Sequence, residues 1–167
     1  AQQSAALAAM QGTIDEVLKV LRTPGVDEQG RRSQIETIAK ARFDFTTMSK
    51  LVLKRDWKRF TPPEQKDFVA EFTEYLSASY GTRIARYANE DVVTNGARAE
   101  VNADVSVLTA IKGGQFSGAQ VDYRMRKVGS DWRVIDVVIE GVSLVSNFRA
   151  QFADVIARGG PQEIERT

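Results

Sequence analysis

The hydrophobic period changes twice along this chain of 167 residues, and that change fixes the order of its elements. Up to residue 90, apolar side chains recur at the spacing of an α-helix. From 91 to 140 they alternate at every second residue, and from 141 onward the helical spacing returns. Helices, then strands, then a helix, with no strand–helix alternation, specify an α+β domain with helices packed on an antiparallel sheet. No internal repeat or low-complexity linker interrupts the pattern. The expectation is one domain over 1–167, with a helical part at 1–90, a sheet at 91–140 and a helical tail at 141–167.

The first helix is expected from about Ser4 to Arg22, with Leu7, Ile14, Val17, Leu18 and Leu21 on one stripe and Thr23-Pro24-Gly25 as its stop. A second starts near Asp27 and carries Ile35, Ile38 and Ala39 on one face. Asp44 caps a short third helix bearing Met48, Leu51, Val52 and Leu53. Thr61-Pro62-Pro63-Glu64 reads as a capping box with proline at the first helical position. The helix it opens presents Phe68, Phe72, Tyr75, Leu76 and Tyr80, and is expected to run to about Tyr87 with a bend at Gly81.

Four strands are expected. The first begins at Val92-Val93 and turns at Asn95-Gly96. The second runs from Arg98 to Val107, with Ala99, Val101, Ala103 and Val105 on a covered face and Arg98, Glu100, Asn102 and Asp104 on a wet one. The third spans Gln120 to Lys127. The fourth, Trp132 to Glu140, is apolar on both faces for much of its length and reads as central, which leaves open which face looks inward. Ser143 caps the last helix, with Leu144, Val145, Phe148 and Phe152 along it, and Gly159-Gly160-Pro161 stops it.

Composition narrows the function. The chain has no His and no Cys, which removes histidine bases, thiol nucleophiles, disulfides and Cys/His metal sites. A net charge of +1 gives no sign of a nucleic-acid partner. No stretch approaches the ~20 apolar residues of a membrane span. The chain opens without a basic n-region or an apolar h-region, which fits either a processed secreted form or a trimmed one. Asp136 and Glu140 share a strand face, but four residues at ~3.3 Å separate them by roughly 13 Å, wider than the ~5–9.5 Å of carboxylate pairs in glycosidases. Pairing with an Arg, or capping the turn that follows, is the reading taken for both.

Three segments together resemble the MlaC-type toluene-tolerance proteins, soluble periplasmic phospholipid-binding components of the Mla lipid transport system. They are Leu51-Val52-Leu53-Lys54-Arg55-Asp56-Trp57 with Thr61-Pro62-Pro63-Glu64-Gln65, then Phe68 to Tyr80, and then Trp132 to Val145. The resemblance spans about Gly12 to Arg158. It implies a curved, mainly antiparallel sheet of about four strands, with helices from both ends of the chain enclosing an apolar cavity and an NTF2-like outline. It also implies a non-enzymatic carrier without cofactor, located in the periplasm with its signal peptide removed. Such a carrier takes phospholipid as cargo between an outer-membrane lipoprotein complex and an inner-membrane transporter component. A polycyclic lipid such as a hopanoid is an alternative cargo, and a small-molecule enzyme on a cone-shaped scaffold, using Asp136 or Tyr123, is an alternative activity.

The residues themselves leave open whether side chains fill the interior or leave room for a ligand; the resemblance favours room. The expected lipid contacts are Leu51, Val52, Phe68, Phe72, Leu76 and Tyr80 from the helices. Val101, Val105, Tyr123, Ile135, Val137 and Ile139 follow from the sheet, and Val142, Val145 and Phe148 from the tail. Lys54 and Arg55, within a cluster that includes Lys50, Lys58 and Arg59, are read as a solvated surface or as a patch for lipid phosphates or an acidic partner. Arg83, Arg86 and Arg149 are expected near the cavity mouth.

Overall fold

The computed structural model describes residues 2–85 and 90–159. Helices α1 (Gln2–Arg22), α2 (Glu28–Arg42), α3 (Phe45–Leu53) and α4 (Pro62–Ala85) precede the sheet, with a 3₁₀ helix at Lys54–Arg59 between α3 and α4. Strands β1 (Asp91–Ala99), β2 (Val105–Lys112), β3 (Gln120–Val128), β4 (Asp131–Ile139) and β5 (Val142–Ser143) follow, and α5 (Leu144–Gly159) closes the described chain. The sheet is an antiparallel meander of five strands in sequence order.

Helix starts are set by side chains that occupy orphan amides. Asp27 Oδ1 accepts from the Gly30 N–H at 2.7 Å, and Asp44 Oδ1 from the Thr47 N–H at 3.0 Å. The Thr61 N–H donates to Glu64 Oε1 at 2.8 Å while the Glu64 N–H donates to Thr61 Oγ1 at 3.3 Å, the reciprocal box expected from the sequence. Ser143 Oγ accepts from the Ser146 N–H at 3.1 Å and starts α5.

Of three buried clusters among the described residues, two are large and the third joins Leu21, Ile35 and Ala85. On the inner sheet face, Val105, Val107, Val121, Met125, Trp132, Val134 and Val137 pack under Ala6, Met10 and Ile14 of α1. A second, helical interior joins α3, α4 and α5 through Met48, Val52, Phe68, Phe72, Val145 and Phe148. Its centre is aromatic. Phe72 meets Phe148 edge-on at 5.4 Å between ring centroids, and Phe68 meets Phe152 at 5.5 Å.

The sheet departs from the sequence expectation in three places. Asn95-Gly96 does not turn; it forms a bulge inside β1, with Gly96 at φ +130°. The expected strand from Arg98 to Val107 is broken by a tight turn instead. Its alternation spans two strands, and Ala99, Val101 and Ala103 are exposed, Val101 to 70%. Asn102 and Ala103 take left-handed conformations, and the Glu100 N–H closes the turn on the Asp104 carbonyl at 2.8 Å. What decides the turn is Asp104, wholly buried against Arg124 and Arg126 of β3.

Third, a bulge in β4 resolves which face of that strand looks inward. Arg124 pairs with Asp136 but Met125 with Val134, so Ile135 is the extra residue. Trp132 and Val134 before it, and Val137 and Ile139 after it, therefore share the inner face, and the strand looks apolar on both. Beyond β4 the sheet has only the two residues of β5 and a bridge from Phe43 to Val134, which together cover its outer edge. The expected end of α4 near Tyr87 lies outside the described residues.

Candidate functional site

Between the inner sheet face, α1, α2 and the C-terminal half of α4 lies a chamber of about 360 Å³. That is within the range of ligand sites. Met10, Ile14, Val17, Leu18 and Leu21 of α1 form one wall; Ile35, Ile38 and Ala39 of α2 form another. The sheet contributes Val92, Thr109, Ile111, Val121, Tyr123, Val137 and Ile139, while Leu76, Ser77, Tyr80, Gly81, Arg83 and Ile84 come from α4. It opens where Arg83, Phe116 and Ile139 reach solvent, Phe116 being 48% exposed.

Local chemistry explains why this space stays apolar. Thr13 Oγ1 is turned onto the Ala9 carbonyl at 3.1 Å and Thr109 Oγ1 onto the Val121 carbonyl at 2.6 Å. Glu36 is held by Arg32 at 3.1 Å. At Gly81 α4 lies beside α2, where a Cβ would meet the Arg32 and Glu36 side chains at an ordinary contact distance of 3.7 Å. The loop between β2 and β3 uses Gly113, Gly114 and Gly118 at positive φ, and it carries Phe116 to the rim.

The residues expected to contact lipid fall into groups. Leu76, Tyr80, Tyr123, Val137 and Ile139 lie together on the chamber wall. Val52, Phe68, Phe72, Val145 and Phe148 are buried in the helical interior instead, with Leu51 packed against it. The aromatic stripe of α4 thus serves two purposes along its length: its first turns meet α5, and only Leu76 onward faces the chamber. Val105 packs under α1 in the sheet interior, away from the chamber wall, and Ile135 is buried at the bulge. Val101 and Val142 are exposed at turns, Val142 to 60%.

Among the expected surface cations, Arg83 stands at the rim with its guanidinium 5.9 Å from the centre of the Tyr80 ring. Arg149 has a structural task, donating from Nε and Nη2 to the Leu51 carbonyl at 3.0 and 2.8 Å. Lys54 and Arg55 are exposed on the 3₁₀ helix and off the chamber wall. Arg86 lies outside the described residues.

Sequence reasoning passed over the α1 and α2 walls. Their stripes were visible as helical periodicity, but periodicity marks a buried face without saying whether protein or ligand covers it.

Asp136, the alternative catalytic carboxylate, is engaged on the other side. It accepts from the Ser143 hydroxyl and from the Val145 N–H at 3.0 Å, fastening the start of α5 to β4. Glu140 Oε1 accepts from the Gln120 N–H at 2.7 Å. No group of three or more His, Cys, Asp or Glu is placed to hold a metal among the described residues. None of the described helices is long and apolar enough to cross a membrane.

The fold and its site define an α+β cradle: a meander sheet and helices around an apolar chamber with Arg83 at its rim. The chain belongs to the MlaC family, whose model, described as MlaC protein, matches residues 11–166. It is similar to a toluene tolerance protein, ttg2D, of Pseudomonas putida, at 28% identity over 125 residues. That match covers 74% of this chain and 58% of the relative, so the chain spans less than two thirds of the relative's length. A phospholipid-binding protein from Ralstonia solanacearum, solved in complex with a phospholipid, superposes with a TM-score of 0.84 at 28% identity. The superposition covers 95% of this chain and 92% of that one.

Proposed function

We propose that this chain is a periplasmic phospholipid carrier that holds acyl tails in the chamber and leaves the headgroup at the rim near Arg83. The observation that carries the reading is the chamber itself, which lies open on one side and is walled almost wholly by aliphatic and aromatic side chains. Close-packed interiors do not leave such volume without a use. Each methylene moved from water into it gains about 0.8 kcal/mol, so tails alone supply ample affinity. Headgroup selectivity is therefore loose. Leu76, Tyr80, Tyr123, Val137 and Ile139 are the tail contacts shared by sequence and geometry, and Ile14, Val17, Ile35 and Ile38 join them.

Kinship with the toluene tolerance protein and the phospholipid-bound Ralstonia protein supports this cargo. In a family setting the carrier passes lipid between an outer-membrane lipoprotein complex and an inner-membrane transporter component. A catalytic role finds no support in Asp136, whose oxygens are committed to capping.

Organic extraction of the purified protein followed by mass spectrometry tests the reading. About one equivalent of phospholipid or more is expected in the extract, and an extract without lipid overturns it. Transfer of a labelled phospholipid between two vesicle populations, dependent on added protein, tests the shuttle.

A further inference from the structure

Three hydroxyls on the described helices are buried: Thr13, Ser49 and Ser77. Two of them follow the usual habit of helical hydroxyls and bond the carbonyl one turn back. Thr13 donates to Ala9 at 3.1 Å and Ser49 to Phe45 at 2.8 Å. Ser77 does not. Its residue is 8% exposed, and its Oγ is buried with no hydrogen-bond partner among the described residues. Buried hydroxyls without partners are costly and rare, and this one stands on the wall of the chamber.

Ser77 also has a place in a series. Ser77, Tyr80 and Arg83 recur every three residues on α4, on one side of the helix, and all three line the chamber. Ser77 is buried, Tyr80 half-buried and Arg83 exposed. The helix rise separates the first and last by about 9 Å along the axis. The Arg83 guanidinium folds back over the Tyr80 ring, which shortens that span. Polarity thus falls from a cation at the rim, through a phenol, to one hydroxyl, and then to hydrocarbon. A diacyl glycerophospholipid falls in the same order, from phosphate through ester carbonyls to tails.

We infer that the Ser77 hydroxyl, turned about its one side-chain torsion, donates a hydrogen bond to an acyl-ester carbonyl of the bound lipid and makes the chamber prefer ester-linked to ether-linked tails. This rests on the proposal that the chamber holds phospholipid. Most of the surrounding wall is aliphatic and indifferent to the linkage; the phenols of Tyr80 and Tyr123 also stand on it, but Ser77 carries the wall hydroxyl that is both buried and without a partner among the described residues. An ether oxygen lacks the carbonyl and is the poorer acceptor.

The test offers delipidated protein an equimolar vesicle mixture of two phosphatidylethanolamines, one with two hexadecanoyl ester chains and one with two hexadecyl ether chains. Captured lipid is read by mass spectrometry. The wild type is expected to capture the ester form about five-fold over the ether form, within the range a single neutral hydrogen bond supplies. Ser77→Ala is expected to bring the ratio to about one while still capturing the ether lipid, and Ser77→Thr to retain a preference. A wild-type ratio near one, or an unchanged ratio in Ser77→Ala, overturns the inference while leaving the carrier intact. Capture of neither lipid by the wild type overturns the carrier reading, and the inference with it.

Discussion

Arg126 grips Asp104 at two points, Nε to Oδ1 at 2.8 Å and Nη2 to Oδ2 at 3.0 Å, across the β2–β3 pairing. Arg124 adds two more contacts, its Nε and Nη2 lying 3.1 and 2.9 Å from Oδ2. The carboxylate is fully buried while both arginines keep about a third of their side-chain surface, at 31% and 34%. Removing the acid leaves two cations that water can still reach, so the cost falls at the low end of that for breaking a buried pair. Asp104→Ala is expected to lower stability by about 3 kcal/mol, measured as a fall in the urea midpoint. Asp104→Asn, which keeps an acceptor, is expected to lose less. An Asp104→Ala variant as stable as wild type would show that the β1–β2 turn is set by something else.

At the same turn, the Glu100 carboxyl is held below its ordinary value of 4.5, first by the hydrogen bond from Arg98 and against some burial, with further help from Ser106 and the charges of Arg98 and Arg124. A group whose folded pKa is depressed adds stability above its unfolded pKa and loses it as pH falls through the folded value. Glu100→Gln is therefore expected to be less stable than wild type near neutrality, and the two should converge below pH 4.5. Arg98 is 59% exposed, so solvent screening keeps the difference under ~1 kcal/mol. Paired urea titrations at pH 7 and pH 3 check it; a gap that widens on acidification refutes the sign.

Helices were legible because their ends and faces are encoded locally. Asp44, Thr61 with Glu64, and Ser143 cap as expected, and Asp27 caps the helix expected to start near it, since each needs only neighbours within three residues. The sheet was legible in its existence and less so in its phase. The run from Arg98 to Val107 alternates perfectly, yet the chain reverses inside it, because Asp104 answers to arginines twenty or more residues away. The β4 bulge hides in the same way: an extra Ile135 directly after Val134 leaves no trace in composition. The chamber suffered most. Phe68 and Phe72 looked like its wall, but only the packing of α5 against α4 decides that they face Phe152 and Phe148.

Asp136 separates the structural and catalytic readings of this strand. Its carboxylate accepts from the Ser143 hydroxyl and the Val145 N–H at the entry to α5. Asp136→Ala strands both donors, and a lost cap with a partly buried amide costs about 2 kcal/mol. For a chain of this size the melting temperature is expected to drop by roughly 4–8 °C. Replacing a strained catalytic acid tends to leave stability equal or improved. A thermal scan showing Asp136→Ala at or above the wild-type midpoint would reopen the enzyme reading.

Val137 and Val101 provide the sharpest test of which residues touch cargo, because both looked inward-facing in the sequence and only one is. Val137 is 7% exposed and on the chamber wall, while Val101 stands on a turn at 70% exposure. A carboxylate introduced at Val137 stands on a largely apolar wall and must be desolvated or held neutral beside the tails. Val137→Glu is expected to retain less than a tenth of the wild-type lipid, whereas Val101→Glu should match wild type in both lipid content and melting temperature, changing either stability by less than ~0.5 kcal/mol if at all. Circular dichroism establishes that each variant is folded, and Val137→Thr, polar but uncharged and of similar size, is expected to fall between them. Full lipid occupancy in a folded Val137→Glu protein would place the tails elsewhere, and loss of lipid in Val101→Glu would move the binding surface to the β1–β2 turn.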